Sequence, residues 1–150
     1  MKRLLLTVIT AFVLSSVGMS QVDGFGLGIV VGEPTGLSGK LWLDRTNALD
    51  GALAWSFIDE GSFYLHANYI HHHFEVIDIS SGQMPLYYGL GAKLKLADDG
   101  ILGAHIPLGI AYHFEEAPLD VFLEIRPGIN LLPKTDFDMS GGIGVRFYFQ

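Results

Sequence analysis

The segment Leu119-Asp-Val-Phe-Leu-Glu-Ile-Arg-Pro-Gly-Ile-Asn130 alternates between apolar and polar side chains along most of its length. One parity holds Val121, Leu123, Ile125, Pro127 and Ile129, and the other holds Asp120, Glu124, Arg126, Gly128 and Asn130. Successive side chains of a strand point to opposite faces, so this segment predicts a β-strand with one apolar and one polar face.

The same period-two pattern recurs along the chain, interrupted by turn clusters rich in Gly, Pro, Asn and Asp. It predicts eight strands, at about 24–32, 37–43, 48–57, 62–74, 86–96, 103–114, 119–131 and 138–149. Short connections suit antiparallel neighbours. The expected fold is all-β, an eight-stranded antiparallel up-and-down barrel.

No Asp, Glu, Lys or Arg falls on the apolar parity of these strands, whereas the other parity is rich in glycine and charge. Such a barrel can close in two ways. A soluble periplasmic barrel, as in lipocalins, would turn the apolar parity inward around an apolar ligand. A transmembrane barrel would turn it outward toward lipid.

Glycine favours the transmembrane version, because an eight-stranded barrel has little interior space and glycine leaves room there for larger side chains. The polar parity then predicts a packed lumen with a paired polar network. Its members are Lys40, Asp50, His66, Asn68, Lys93, Lys95, His105, Glu124, Arg126 and Arg146.

Aromatic side chains of the apolar parity gather near strand ends, as in the two aromatic girdles of outer-membrane barrels. With strand one running outward from the periplasm, the periplasmic girdle holds Phe25, Tyr69, Tyr88, Tyr112, Phe114, Phe147 and Phe149. The other girdle holds Trp55, Phe57 and Phe63.

The first 20 residues predict export. Met1-Lys-Arg3 is basic, Leu4 to Leu14 is apolar, and Gly18-Met-Ser20 is a plausible cleavage site, so 1–20 has the pattern of a signal peptide. The barrel domain would be 21–150. The chain has no cysteine, and loss of Lys2 and Arg3 would move its formal charge from −7 to −9. That acidity argues against nucleic acid as a partner.

The segment Gly28-Ile-Val-Val-Gly-Glu-Pro-Thr-Gly-Leu-Ser-Gly-Lys-Leu-Trp42 and the following Asn47–Phe57 segment resemble small bacterial outer-membrane β-barrels of a largely uncharacterised family described in spirochaetes. The overall plan is similar to OmpA- and OmpX-type barrels. The resemblance implies residence in the outer membrane of a Gram-negative-type envelope, with lipid as a partner. It also implies periplasmic chaperones and barrel-assembly machinery during biogenesis, and it carries no catalytic residue.

Three consecutive histidines, His71 to His73, end the fourth predicted strand, with His71 and His73 on the outward parity. Two histidines at i and i+2 on a strand could share a metal ion, with Glu75 and Asp78 as nearby acceptors, but structural zinc normally takes four ligands. Amphipathic rim residues are therefore expected here, and no metal site. The glycine-rich segments near Gly24 and Gly39 lack the helix that a phosphate loop opens, so no cofactor is expected either.

An enzymatic alternative is a lipid A-modifying barrel. The deacylases among these barrels carry a serine two residues after a lipid-facing histidine, and none of the six histidines has one. No enzyme is therefore expected. Two further expectations concern neighbouring strands: Glu124 and Arg146 should face each other in the lumen, and Pro107 and Pro127 should share a local break in the ladder.

Overall fold

The computed structural model describes residues 24–33, 35–56, 62–96, 100–132 and 134–149. The predicted signal peptide and Phe57 lie outside these residues. The strands of the described chain are β1 (Phe25–Glu33), β2 (Gly36–Trp42), β3 (Asn47–Ser56), β4 (Ser62–His73), β5 (Leu86–Leu96), β6 (Ile101–His105), β7 (Leu108–His113), β8 (Leu119–Leu132) and β9 (Asp136–Phe149). No helix in the described ranges is long and apolar enough to cross a membrane.

The strands form one antiparallel sheet that closes into a ring. Apart from β6 and β7, which do not pair with each other, strands that follow one another in the chain are paired. The pairing of β1 with β9, from Phe25↔Phe149 to Glu33↔Gly141, joins the two edges. The predicted all-β antiparallel barrel is therefore confirmed at the level of fold. Closure leaves no long free edge, which is how a barrel satisfies its backbone hydrogen bonds without a covering layer.

The number of strands differs from the prediction. The expected sixth strand is divided into β6 and β7, so the described sheet has nine strands rather than eight. Both halves pair with β5 on one side and with β8 on the other. The ring therefore keeps eight positions, and one of them is interrupted at Ile106 and Pro107.

The prolines explain the interruption. Gly89 N–H donates to the Pro107 carbonyl (3.1 Å), and Ile106 N–H donates to the Pro127 carbonyl (2.9 Å). In a regular antiparallel pair, each residue donates its N–H to the carbonyl of the other. Pro107 and Pro127 accept such a bond but cannot donate one, because proline has no N–H. The predicted break is present at Pro107, whereas β8 continues through Pro127 and pairs it with Met139 of β9.

The register of β8 and β9 corrects a second expectation. Arg146 lies opposite Asp120, and Glu124 lies opposite Gly142, so the predicted Glu124–Arg146 pair is wrong. The observed register differs from the predicted one by four residues, since Asn130 of β8 pairs with Asp136 of β9 and its side-chain amide donates to the Asp136 carboxylate at 2.9 Å. The shift is even, so both side chains still face inward.

Two ends of the barrel can be distinguished. The proximal end holds the start of β1 and the end of β9, with the connections 43–46, 74–85 and 114–118. The distal end holds the last residues of β1, β3, β5 and β8. We call the interior of the ring the lumen. It is filled by the inward-facing side chains of the strands.

Candidate functional site

The molecule is inverted relative to a soluble globular domain. Among the described residues, the buried polar and charged side chains outnumber the buried apolar ones, and thirty large apolar side chains are exposed. Leu90 is 66 % exposed and Phe137 is 71 % exposed, whereas Arg126 and Arg146 are each 2 % exposed. The apolar parity thus faces outward and the polar parity inward.

The predicted lumen residues lie almost entirely inside. Those that are buried are Lys40, Asp50, His66, Asn68, Lys93, His105, Glu124, Arg126 and Arg146. Lys95 is only half-buried, because it is near the distal end of β5. The lumen also buries polar side chains that the predicted network omitted: Ser38, Ser62, His72, His113 and Asp120. Each has the inward parity of its strand, which is the signal that could have identified it.

Arg146 occupies the centre of the lumen. Its two terminal nitrogens lie 3.5 Å from Asp50 Oδ2 and 3.6 Å from Asp120 Oδ2. Its Nε donates to Ser38 Oγ at 3.0 Å, and the guanidinium lies 3.8 Å from the ring centre of Phe122. One side chain therefore connects β2, β3, β8 and β9 across the barrel.

A second set of contacts extends from the centre toward the distal end. Arg126 forms an ion pair with Glu124, two residues away on the same strand, and donates from Nε to Ser140 Oγ at 3.2 Å. Lys93 forms an ion pair with Asp138. These pairs satisfy the requirement that buried charges be compensated.

An amide connects the central carboxylates to a histidine. Asn68 Nδ2 donates to Asp50 Oδ1 at 2.8 Å, and Asn68 Oδ1 lies 2.6 Å from His105 Nε2. Because the amide nitrogen is directed at the carboxylate, His105 Nε2 must be the donor to the amide oxygen. The buried charges of the lumen are the four cations Lys40, Lys93, Arg126 and Arg146 and the three carboxylates Asp50, Asp120 and Glu124, and half-buried Asp138 pairs with Lys93.

An aromatic cluster closes the lumen at the proximal end. Lys40 Nζ lies 2.7 Å from His72 Nε2 and 4.3 Å from the ring centre of Trp42. His72 packs on Trp42 at 4.4 Å and on Tyr87 at 5.3 Å between ring centres. Phe74, just beyond β4, packs against the same cluster. Lys40 is 1 % exposed, so this end of the lumen is sealed.

Inward-facing glycines provide the space that these side chains occupy. A Cβ on Gly26 would lie 2.6 Å from the Tyr148 ring, and one on Gly144 would lie 2.5 Å from the Phe122 ring. A Cβ on Gly109 would clash with the ring of Tyr87. These three glycines therefore leave room for aromatic rings, while Gly103 leaves room for the Lys93 side chain, as the sequence predicted for charged groups.

Most of the predicted girdle residues lie on the outer surface. Phe25, Trp55, Tyr69, Tyr88 and Phe114 are exposed, and Phe63, Tyr112, Phe147 and Phe149 are less exposed. At the proximal end, Phe25 stacks on Phe149 with ring centres 6.5 Å apart, and Tyr112 contacts Phe114 edge-on at 4.8 Å. Trp55 lies directly across from Phe63 near the distal end.

The three histidines have different environments. His72 is 1 % exposed in the lumen, where its Nδ1 lies 2.8 Å from the Thr46 carbonyl. His71 and His73 are on the outer surface, with His71 half-buried and His73 exposed. The sequence assigned all three to the rim and did not anticipate the contact between His72 and Lys40. In the part of the chain that the structure describes, no group of three or more His, Cys, Asp or Glu side chains could hold a metal ion.

Comparison of the chain with models of known protein families, with curated proteins and with solved structures found no match. What the molecule does must therefore be inferred from the chemistry of its two faces.

Proposed function

We propose that this chain is an integral outer-membrane β-barrel protein with a structural or interaction role. The observation that carries this proposal is the inverted distribution of side chains: an apolar outer surface encloses a polar lumen in which charged side chains are buried. Exposed apolar patches on soluble monomers rarely exceed a few hundred Å². Thirty exposed large apolar side chains around a closed ring need an apolar solvent, and acyl chains provide one.

The strand lengths support this proposal. A strand that crosses a bilayer needs about 9–11 residues at a tilt of about 45°. Six of the eight ring positions are single strands of nine residues or more, from the 9 of β1 to the 14 of β8 and β9, whereas β2 has 7 and the divided position has 5 in β6 and 6 in β7. Girdle aromatics at both ends of the ring would lie at the headgroup level.

The packed lumen supports a role other than that of a general porin. Porins have wide barrels with a water-filled channel, whereas eight strands leave space only for side chains. Here the central space is taken by Arg146, Tyr148 and Arg126, and the proximal end is closed by Trp42 and His72. The proposed role is therefore one of scaffold or surface contact, without catalysis.

A soluble lipocalin-like barrel that binds an apolar ligand is the alternative. It requires an apolar interior, and the polar, filled lumen of the described barrel weighs against it. A lipid A-modifying enzyme is a weaker candidate. The proposal includes export through the signal peptide at 1–20, delivery by periplasmic chaperones and insertion by the barrel-assembly machinery.

Cysteine labelling tests the proposal, because the native chain contains no cysteine. Leu90→Cys and Leu123→Cys place thiols on the outer surface, and Arg45→Cys places one in the exposed 43–46 turn. In isolated membranes, the two outer-surface thiols should react with a lipid-soluble maleimide and resist a charged one. The Arg45→Cys thiol should react with the charged reagent in the same preparation.

Fractionation of native cells provides the second arm of the test. The protein should sediment with outer membranes, remain there after an alkaline wash, and be extracted only by detergent. Recovery in the periplasmic supernatant without detergent would overturn the membrane proposal in favour of the soluble barrel. Labelling of Leu90→Cys by the charged reagent in membranes would contradict contact of the outer surface with lipid.

A further inference from the structure

His71 and His73 form a pair on the outer surface at the proximal end of β4. They are two residues apart on one strand, so their side chains point to the same side, and their ring centres lie 4.8 Å apart. His72 between them points into the lumen and is occupied by Lys40 and Thr46. The three histidines thus separate into one lumen residue and an outer pair.

The spacing of the outer pair suits one shared metal ion. A metal–nitrogen bond of about 2.0 Å places the ion about 3.2 Å from the centre of a coordinating imidazole. Two such rings lie about 4.5 Å apart for a 90° angle at the metal and about 5.2 Å apart for a tetrahedral angle. The observed 4.8 Å falls between these two values.

The protonation of His71 is set by a chain of hydrogen bonds. Asn47 lies directly across from His71, and its Nδ2 donates to both carboxylate oxygens of Asp44, at 3.1 and 2.9 Å. The amide oxygen of Asn47 therefore faces His71 and accepts from His71 Nδ1 at 2.7 Å. The proton is held on Nδ1, and the lone pair of Nε2 is available to a ligand.

This arrangement is the one that metal-binding histidines use. A metal-ligating imidazole almost always donates its other N–H to a carbonyl or carboxylate, which orients the ring and raises its basicity. Here the acceptor is an amide oxygen whose own amide group is bound to a carboxylate. Exposed His73 is held in place by stacking on Tyr88, at 5.3 Å and 18° between the rings.

We propose that His71 and His73 bind a divalent transition-metal ion through two imidazole nitrogens, with Asn47 as the residue that positions His71. Cu²⁺ is the expected ion, because imidazole sites bind Cu²⁺ most strongly among the divalent first-row metals and Cu²⁺ accepts a tetragonal N,O ligand set. Water completes the coordination. The sequence predicted no metal here because it counted ligands for a structural zinc site; a two-imidazole surface site needs fewer.

The site can be tested without reference to membrane insertion, using tag-free protein in detergent micelles and copper(II) sulfate alone. Calorimetric titration should give one equivalent of bound Cu²⁺, and electron paramagnetic resonance should show hyperfine coupling to two imidazole nitrogens. His71→Ala and His73→Ala should each lower the affinity by about 100-fold or more and leave a single-nitrogen signal.

Asn47→Ala tests the positioning role. It should weaken Cu²⁺ binding by about 10- to 100-fold while both nitrogens remain coordinated. Arg45→Ala, in the same turn, is the matched control and should bind as the parent does. All variants should keep the circular dichroism spectrum of a β-barrel. Unchanged Cu²⁺ affinity in the His71→Ala, His73→Ala double variant would overturn the proposal.

Discussion

At the scale of single residues, Arg146 is the side chain on which the lumen most depends, because it faces two carboxylates that have little access to water. Replacing it with Met removes the guanidinium that pairs with Asp50 and Asp120, and breaking a buried pair from one side costs about 3–5 kcal/mol. We expect Arg146→Met to lower the free energy of unfolding in micelles by about that amount. Urea titration is the measurement.

A double-mutant cycle identifies the carboxylate that pairs with Arg146. Asp120→Asn combined with Arg146→Met should be less destabilising than the sum of the two single changes, since the neutral amide needs no cation. Glu124→Gln combined with Arg146→Met is the comparison, and it should couple more weakly because Glu124 is paired with Arg126. Coupling that is stronger with Glu124 than with Asp120 would contradict the observed register.

The substitution Gly26→Ala tests how tightly the lumen is packed. A Cβ there would lie 2.6–2.9 Å from the ring of Tyr148, which cannot yield because it is fully buried and its hydroxyl donates to Asp120 at 2.6 Å. We expect Gly26→Ala to cost about 1–3 kcal/mol of unfolding free energy. Gly39→Ala, on the adjacent strand and facing outward, is the matched control, because its Cβ would meet no atom of the described residues closer than 3.7 Å. Equal losses in the two variants would contradict a tightly packed lumen.

Asp44, in the exposed 43–46 turn, makes a contribution to the stability of the fold that depends on pH. Hydrogen bonds from the Asn47 side chain, followed by those from the Thr46 and Asn47 backbone amides, lower the pKa of Asp44 from 3.8 to about 2. A lowered carboxyl pKa stabilises the folded state above pH 3.8, and this contribution is lost as the pH falls toward 2. NMR titration of the Asp44 carboxyl carbon should give a midpoint near 2, moving toward 3.8 in Asn47→Ala. An unmoved midpoint in that variant would assign the shift to the backbone amides.

At the scale of the strands, Pro107 divides one ring position into two elements. Pro107→Ala restores an N–H that faces the Gly89 carbonyl, so β6 and β7 should join into one strand. The new hydrogen bond contributes about 0.5–1.5 kcal/mol, and loss of the proline constraint costs about 0.4–1 kcal/mol, so the stability should change by less than about 1 kcal/mol. The backbone amide that this substitution introduces should exchange slowly with solvent hydrogen. Fast exchange would mean that the interruption has another cause.

At the scale of the whole molecule, the closed proximal end and the filled lumen predict an absence of conductance. Protein reconstituted into a planar bilayer should give no stable ion-conducting steps, while a general porin inserted under the same conditions should conduct. Continuous ohmic conductance from the purified protein would show that the side chains seen in the lumen move aside in a bilayer.

The alternation of side chains was sufficient to predict much of this molecule. It predicted the all-β class, the antiparallel order and the strand positions, because the period of a strand is two and the parity of a residue fixes its face. It also placed Arg126, Arg146 and Lys40 on a common face. The resemblance to outer-membrane barrels depends on the same pattern, and so do the aromatic girdles. Residence in the outer membrane, which both imply, stays a prediction.

Only the tertiary structure decided which residues meet. Parity is unchanged when one strand slides past its neighbour by an even number of residues, so the sequence could not separate Asp120 from Glu124 as the partner of Arg146. Closure of the ring brought His72 to Lys40 and Tyr148 to Gly26, contacts between strands that are distant along the chain. Such contacts depend on where each turn reverses the chain and on how the strands stagger around the barrel. Both are properties of the closed ring and not of any single strand.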